Sequence, residues 1–573
     1  MAETLISPGV LARENDQSFV TSQPVERGAA IIGPAVLGPV EKPTLISSFS
    51  SYQAIFGGAL ESGSGEFTYL TSIAANQYFQ NGGNSLLVTR VTSGSFTSAT
   101  SSAVVGQTGS VVPNAFTLET ISEGAIMNTG TTEITNGALV SGSTDNLRWE
   151  IAASNSASGV FSLLIRRGDD TNNNRVVLES YNNISLDPFA SNYISRAIGD
   201  ISSNLVTEGV DTFLQESGSF PNISNYVRVK SVNNPTPRYF NNDGSAKIQF
   251  TGSMPQVGSG SFNGAVGSNI PTNRTANFYQ NINATDTQGL VGSDYDNAIA
   301  LLANQDDYQF NVISVPGLST QHQTAQITSV MNNSISRGDS IAVIDLVGYN
   351  QPINAVTQQA GGIDNSYTAT YWPWLQTVDP NSGQLVYIPA STFIPGVYAF
   401  TDASSDPWFA PAGITRGGMG QVVRAERKLT STNRDTLYEA NVNPIATFPS
   451  QGVVVFGQKT LQKAASALDR VNVRRLLITL KGYISQIADN LVFEQNTIAT
   501  RQNFLTQVNP YLESVQQRQG LYAFKVVMDE QNNTPDVIDR NELVGQIFLQ
   551  PTRTAEFILL DFNVLPTGAT FPA

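Results

Sequence analysis

The feature that most constrains this chain is a strand, helix and strand in close succession. Phe310-Asn311-Val312-Ile313-Ser314-Val315 is a buried-strand run that ends at Pro316-Gly317, a helical stretch covers about 321 to 335, and Ser340-Ile341-Ala342-Val343-Ile344-Asp345 follows. Two apolar strands joined through a helix must lie parallel, and a parallel sheet has to be covered on both faces. The rest of the chain therefore has to supply further strands and helices around this unit. At 573 residues it is also long enough to divide into several domains.

The second strand-rich block lies near the start. Ala29-Ala30-Ile31-Ile32-Gly33 is a short buried strand punctuated by Gly33-Pro34 and Gly38-Pro39. Apolar residues between Phe67 and Phe79 fall at helical spacing, and Gly82-Gly83-Asn84 then turns into the strand Ser85 to Val91. We assign 23–96 and 280–404 to the two parts of one α/β core. Between 97 and 279 the texture changes to Ser, Thr, Asn and Gly with short alternating runs such as Val160 to Ile165, which reads as a strand-rich insertion, outward-facing. Residues 405–573 read as a C-terminal α+β domain. It holds a strand at 453–456, an amphipathic helix at 473–491 and a second helix at 498–518 broken or kinked near Pro510. A strand at 521–528 and two more at about 543–549 and 555–564 complete it. Residues 1–22 are too poor in apolar side chains to form a core and read as an extended arm.

Composition excludes several kinds of chemistry. There is no cysteine, so disulfides, thiolate metal sites and cysteine nucleophiles are absent. No Gly-Lys pair occurs, which rules out a Walker A loop. The single histidine, His322, sits among Gln321, Gln323 and Thr324 and reads as a surface helix start. Asp529, Glu530, Asp536 and Asp539 lack the glycine and ligand spacing of an EF-hand loop and read as a turn, and Gly417-Gly418-Met419-Gly420 reads as a flexible turn. No catalytic, cofactor-binding or metal-binding set emerges, so no cofactor is expected. A net charge of −15 argues against nucleic acid as a general partner. The opening residues lack a signal peptide's basic start and apolar run, and no stretch is apolar enough for membrane insertion.

Several separated stretches resemble the contractile phage tail sheath family. They are Ser7-Pro8-Gly9-Val10, Tyr52 to Gly58, Gln77 to Gly83 with Val88-Thr89-Arg90-Val91, Trp372-Pro373-Trp374-Leu375, Pro389-Ala390-Ser391 and Trp408 to Gly413. The most specific are Asn472-Val473-Arg474-Arg475-Leu476, and Asn532-Asn533-Thr534-Pro535 combined with Ala555-Glu556-Phe557-Ile558. The resemblance implies an α+β multidomain chain with a subtilisin-like α/β domain without protease activity, a C-terminal sheath domain and extended terminal arms. It also implies a homo-oligomeric helical sheath of six-fold rings around a tail tube protein, bounded by baseplate and tail terminator proteins. Such a subunit belongs to a virion tail assembled in the host cytoplasm; pyocin-like and extracellular injection systems share the family. A cell-surface adhesin is the competing class, suggested by the Ser, Thr, Asn and Gly texture.

Two sets of contact residues follow. Lys459, Lys463, Arg470, Arg474, Arg475 and Lys481 concentrate positive charge in an acidic chain and are candidates for contact with an acidic tube. On a single helix, Lys463, Arg470, Arg474 and Lys481 would share a face, with a break near Asp469 as the alternative. Val10, Phe19 and Val20 in the lead, and Ile558, Leu560, Phe562 and Val564 at the other end, are candidates for strands donated to neighbouring subunits.

Overall fold

The computed structural model describes residues 27–62, 65–109, 111–127, 133–209, 211–267 and 278–558. An eight-stranded sheet forms its centre, in the order Thr44–Ile46, Leu86–Arg90, Ala29–Gly33, Val312–Ser319, Ile341–Asp345, Thr368–Trp372, Asn443–Phe448 and Gly452–Val455. The six inner strands pair in parallel, and each outermost strand is antiparallel to its neighbour. Ala29–Gly33, Leu86–Arg90, Ile341–Asp345 and Thr368–Trp372 are buried at every position. This explains their unbroken apolar runs, because side chains on both faces meet protein. Ile31, Val88 and Val343 pack on one face with helix Leu70–Gln80 and helix Ile394–Ser404, whereas Ile32, Ile313 and Ile344 pack on the other with helix Thr324–Arg337. Gly28 admits the chain beside its neighbour: a Cβ there would lie 1.8 Å from the Ser85 carbonyl oxygen.

Three expectations change. The strand expected to end at Pro316-Gly317 continues to Ser319, with a register irregularity between Ser314 and Ser319 that absorbs the proline and the positive φ of Gly317. The core does not end at 404, since Asn443–Phe448 joins Thr368–Trp372 and carries Gly452–Val455 with it, so its second part runs on through 455. Helix Ile498–Gln517 is continuous through Pro510. Burial of Phe504, Val508, Leu512 and Val515 along one face offsets the backbone hydrogen bond that proline cannot donate.

Residues 98–263, between the two halves of the central sheet, build a separate seven-stranded antiparallel sheet. Its order is Val177–Ile184, Val160–Arg167, Leu147–Asn155, Gly258–Asn263, Ser98–Ser101, Phe116–Glu123 and Val227–Val232. Phe116–Glu123 alternates buried and half-buried positions along its whole length, the pattern of an antiparallel strand with one face in a core. A buried ion network lies on this sheet, where Arg166 bridges Asp170 at 2.7 Å and Glu150 at 2.7 Å, and Arg148 reaches Asp170 at 3.2 Å.

The last part of the chain is a two-helix unit, Val471–Asp489 and Ile498–Gln517, backed by a sheet of two strands, Leu521–Val527 and Gln546–Pro551. These strands pair only with each other among the described residues. The loop between them is held by Asn533, whose amide donates to the Asp529 and Val544 carbonyls and accepts from the Val544 N–H.

Candidate functional site

Helix Val471–Asp489 joins two cores. Val471 and Ile478 pack with the central sheet, while Leu476, Leu480 and Ile487 pack with Phe504, Val508 and Leu512 of the next helix. The Asn472-Val473-Arg474-Arg475-Leu476 segment at its start is the junction itself. Arg474 is 4% exposed, its Nε donates to the Ser366 carbonyl at 3.2 Å and its guanidinium lies 3.9 Å from the Tyr367 ring centre. Burial lowers its pKa, with Tyr367 acting in the opposite direction. Arg475, 3% exposed, forms an ion pair with Asp402 and covers the Tyr398 ring at 4.6 Å. Asn472 Nδ2 donates to the Trp408 carbonyl at 3.2 Å, and Trp408 Nε1 donates to the Arg518 carbonyl at 3.0 Å. The cations are therefore largely the clamp between two domains. Removing one partner of such a buried pair strands the other, which is costly.

The six basic residues consequently separate. Lys463 precedes the short turn Ala467–Asp469 and the helix begins only at Val471, so Lys463, Arg470, Arg474 and Lys481 do not form one helical face. The serine at 466 caps that turn, accepting from the Leu468 N–H, and breaks the run near Asp469. Arg474 and Arg475 lie inside the subunit. Lys459 donates to the Tyr438 carbonyl at 2.8 Å, and Arg470 pairs with Asp469 at 3.1 Å. Lys463 and Lys481 are exposed along their side chains. Lys463 Nζ reaches the Gly361 carbonyl at 2.7 Å and Lys481 Nζ the Tyr367 hydroxyl at 3.3 Å.

A second clamp lies at the far end. After Gln546–Pro551, residues 552–558 return to the central sheet as an irregular strap; of the strand expected at about 555–564, the part from 559 on lies outside the described residues. Glu556 is its anchor: its carboxylate accepts from Arg470 Nε at 2.8 Å, Gln458 Nε2 at 3.0 Å and the Tyr438 hydroxyl. Burial pushes the Glu556 carboxyl up, but these donors outweigh it and the net direction is below its ordinary value. Ile558 is 78% exposed. Val10, Phe19, Val20, Leu560, Phe562 and Val564 lie outside the described residues. The sequence signal for the anchor was an isolated acid in Ala555-Glu556-Phe557-Ile558, a pattern that does not by itself name a partner.

Asp345 closes the strand Ile341–Asp345 and accepts hydrogen bonds from the Ser391 N–H at 3.1 Å and from its hydroxyl. Both residues are buried, and burial pushes the Asp345 carboxyl up to about 7 despite these two donors. Ser391 thus meets a carboxylate directly, with no imidazole interposed; burial lowers the pKa of His322. The pair holds the turn Ala390–Thr392 against the sheet. The glycine run at 417–420 is tied to the sheet edge, with Met419 N donating to the Val453 carbonyl at 3.0 Å and Val455 N to that of Gly417 at 2.8 Å, so it is more ordered than a flexible turn. Among the described residues, no group of three or more His, Asp and Glu side chains is placed to hold a metal, and no helix is long and apolar enough to cross a membrane.

These features define a mixed α/β, strand-rich multidomain protein whose shared residues clamp domains together. Residues 288–461 match the phage tail sheath protein central domain and residues 463–564 the phage tail sheath C-terminal domain. Over these two adjoining stretches the chain is similar to the domains of phage tail sheath proteins. The tail sheath protein of Vibrio phage KVP40 is 30% identical over 362 residues, 58% of this chain and 51% of that protein. That of Enterobacteria phage T4 is 35% identical over 230 residues, 40% of this chain and 35% of that protein. The chain thus spans about half or less of the length of the curated relatives it matches. A sheath tail protein from Listeria innocua shares the fold, with a TM-score of 0.50 at 11% identity over 92% of this chain and 96% of that one.

Proposed function

We propose that the chain is the structural subunit of a contractile tail sheath that stacks as six-fold rings around a tail tube and contracts without nucleotide, driving the tube through a target envelope. The observation that carries this reading is the two-stranded sheet Leu521–Val527 and Gln546–Pro551, whose outer edges have no paired strand among the described residues. An open strand edge presents unpaired N–H and C=O groups and invites another strand. The occupants are the N-terminal lead of one neighbour and the C-terminal end of another, leaving a ladder that stays paired while the subunits pivot. Contraction is then a passage from a metastable packing to a lower one. The partners are further copies, the tube protein, baseplate and terminator, and the location is the virion tail. Lys463 and Lys481, the exposed members of the basic set, are the proposed tube contacts. The subtilisin-like reading of the central sheet belongs to the same proposal, supported by its parallel inner strands.

The test is removal of residues 1–20, followed by circular dichroism and negative-stain microscopy. We expect a folded subunit that forms no stable cylinders, while the intact chain forms cylinders that contract on mild acid or heat in nucleotide-free buffer. Normal contractile cylinders from the truncated chain, or a strict need for ATP, would refute the reading.

A further inference from the structure

The chain enters the central sheet through a cleft. Strand Ala29–Gly33 begins there, since Arg27, the first of the described residues, and Ala29 both line a hollow of about 290 Å³ between the central sheet and the two C-terminal helices. Tyr78, Asn311 and Tyr398 belong to its central wall, and Gly482, Tyr483 and Tyr511 to its helical one. Gly482 lies inside helix Val471–Asp489, where glycine is less favourable than alanine. The three atoms nearest a Cβ at that position all belong to the Arg27 guanidinium, with Nη1 at 3.2 Å. The missing side chain thus lets Arg27 reach across to the helix, while its Nη1 also lies 3.6 Å from Asp339 of the central domain.

The charges of the cleft are neutralised inside the subunit. Asp402 pairs with Arg475, Asp406 with Arg518 at 2.7 Å and Arg27 with Asp339. Two of the aromatic rings are covered as well, Tyr398 by Arg475 at 4.6 Å and Trp408 by Arg518 at 4.8 Å. What stays open is apolar. Tyr483 and Tyr511 are half-buried, with ring centres 3.8 Å apart, and small apolar side chains laid on them would leave water favourably. The chain itself supplies such side chains. Pro24 and Val25 come just before Arg27, and at about 3.6 Å per residue they lie within about 11 Å of it however the chain turns.

We propose that Pro24 and Val25 occupy this cleft of their own subunit, against Tyr483 and Tyr511, with Arg27 as the pin beside them. The segment then touches both domains and adds a third link to those at Arg474, Arg475 and Glu556. Because this link sits at the root of the N-terminal lead, a pull on the lead by a neighbour acts on the domain junction. That consequence alone rests on the donated lead proposed above; the seat itself is made within one subunit.

The lack of cysteine makes each introduced thiol a single reporter. In dilute, unassembled full-length subunit, Val25→Cys should react with a maleimide about tenfold more slowly than Val10→Cys, and adding Gly482→Leu, whose side chain takes the place of Arg27, should restore the faster rate. A chain carrying both Val25→Cys and Ala403→Cys, the latter residue exposed on the cleft lining, should be bridged by a short bis-maleimide within one chain, in a yield that dilution does not change. Equal labelling at positions 25 and 10, or a bridge that forms only between chains, overturns the seat. Since these readings need no assembly, they stand apart from the truncation of residues 1–20, which decides the donated lead.

Discussion

The central sheet and the small C-terminal sheet solve opposite problems. In the first, eight strands are laid between two helical layers, and its inner strands are buried on both faces. In the second, two strands stand with one face on a helix and the other half exposed, Phe548 at 56% and Tyr522 at 68%. A sheet made mostly of inner strands spends its pairing capacity inside the subunit, and a two-stranded one has an unpaired edge on each strand. One chain therefore carries a large buried sheet and a small exposed one, and the clamps at Arg474, Arg475 and Glu556 join the parts that hold them.

That contrast can be broken at either end. The largest effect is expected in the central sheet, where Ile344→Ala should cost about 2–5 kcal/mol of subunit stability in urea titrations, through lost burial and the cavity left behind. A cost near zero would mean that the sheet is looser than its burial implies. The next is a pH effect at Asp345. Between the ordinary carboxyl value of 3.8 and about 7, the folded state holds a proton that the unfolded chain has lost. Stability from this group is therefore fully present below that window and falls as pH rises through it. Asp345→Asn should flatten that part of the urea midpoint against pH, and an unchanged slope would remove Asp345 as its source.

Smaller effects sharpen the comparison at the C-terminal end. Glu556→Ala should cost about 1–2 kcal/mol, because it leaves half-buried donors unpaired. Its signature is faster hydrogen exchange in 552–558, with the central sheet unaltered. Phe548→Ala should leave subunit stability within about 0.5 kcal/mol, as for most exposed positions, while raising the concentration needed for cylinders. A large loss of subunit stability instead would make Phe548 part of a core.

The basic stretch shows how far sequence reading reaches into the site. The charges from Lys459 to Lys481 were visible, and so was the amphipathic helix, but their destinations were not. Arg474 and Arg475 lie beside apolar positions on a helix that enters two cores, so their burial depends on Ser366, Tyr367, Tyr398 and Asp402, more than 70 residues away in sequence. Similarly, Pro510 was a legible helix breaker by local rules, and four buried side chains on the opposite turns of the helix overrode it.

What the sequence determined by itself was whatever depends on nearest neighbours and on arithmetic. The parallel strand, helix and strand unit is written in the apolar runs from 310 to 345, and the absence of cysteine and of a Gly-Lys pair removes whole chemistries. Only the tertiary structure decided that the strands at 443–455 complete the central sheet, that two buried arginines clamp the domains, and that the strap at Glu556 stays irregular. Each of these turns on which distant group arrives opposite a given residue. A buried charge or an unpaired strand edge has no fixed energy until its partner is in place.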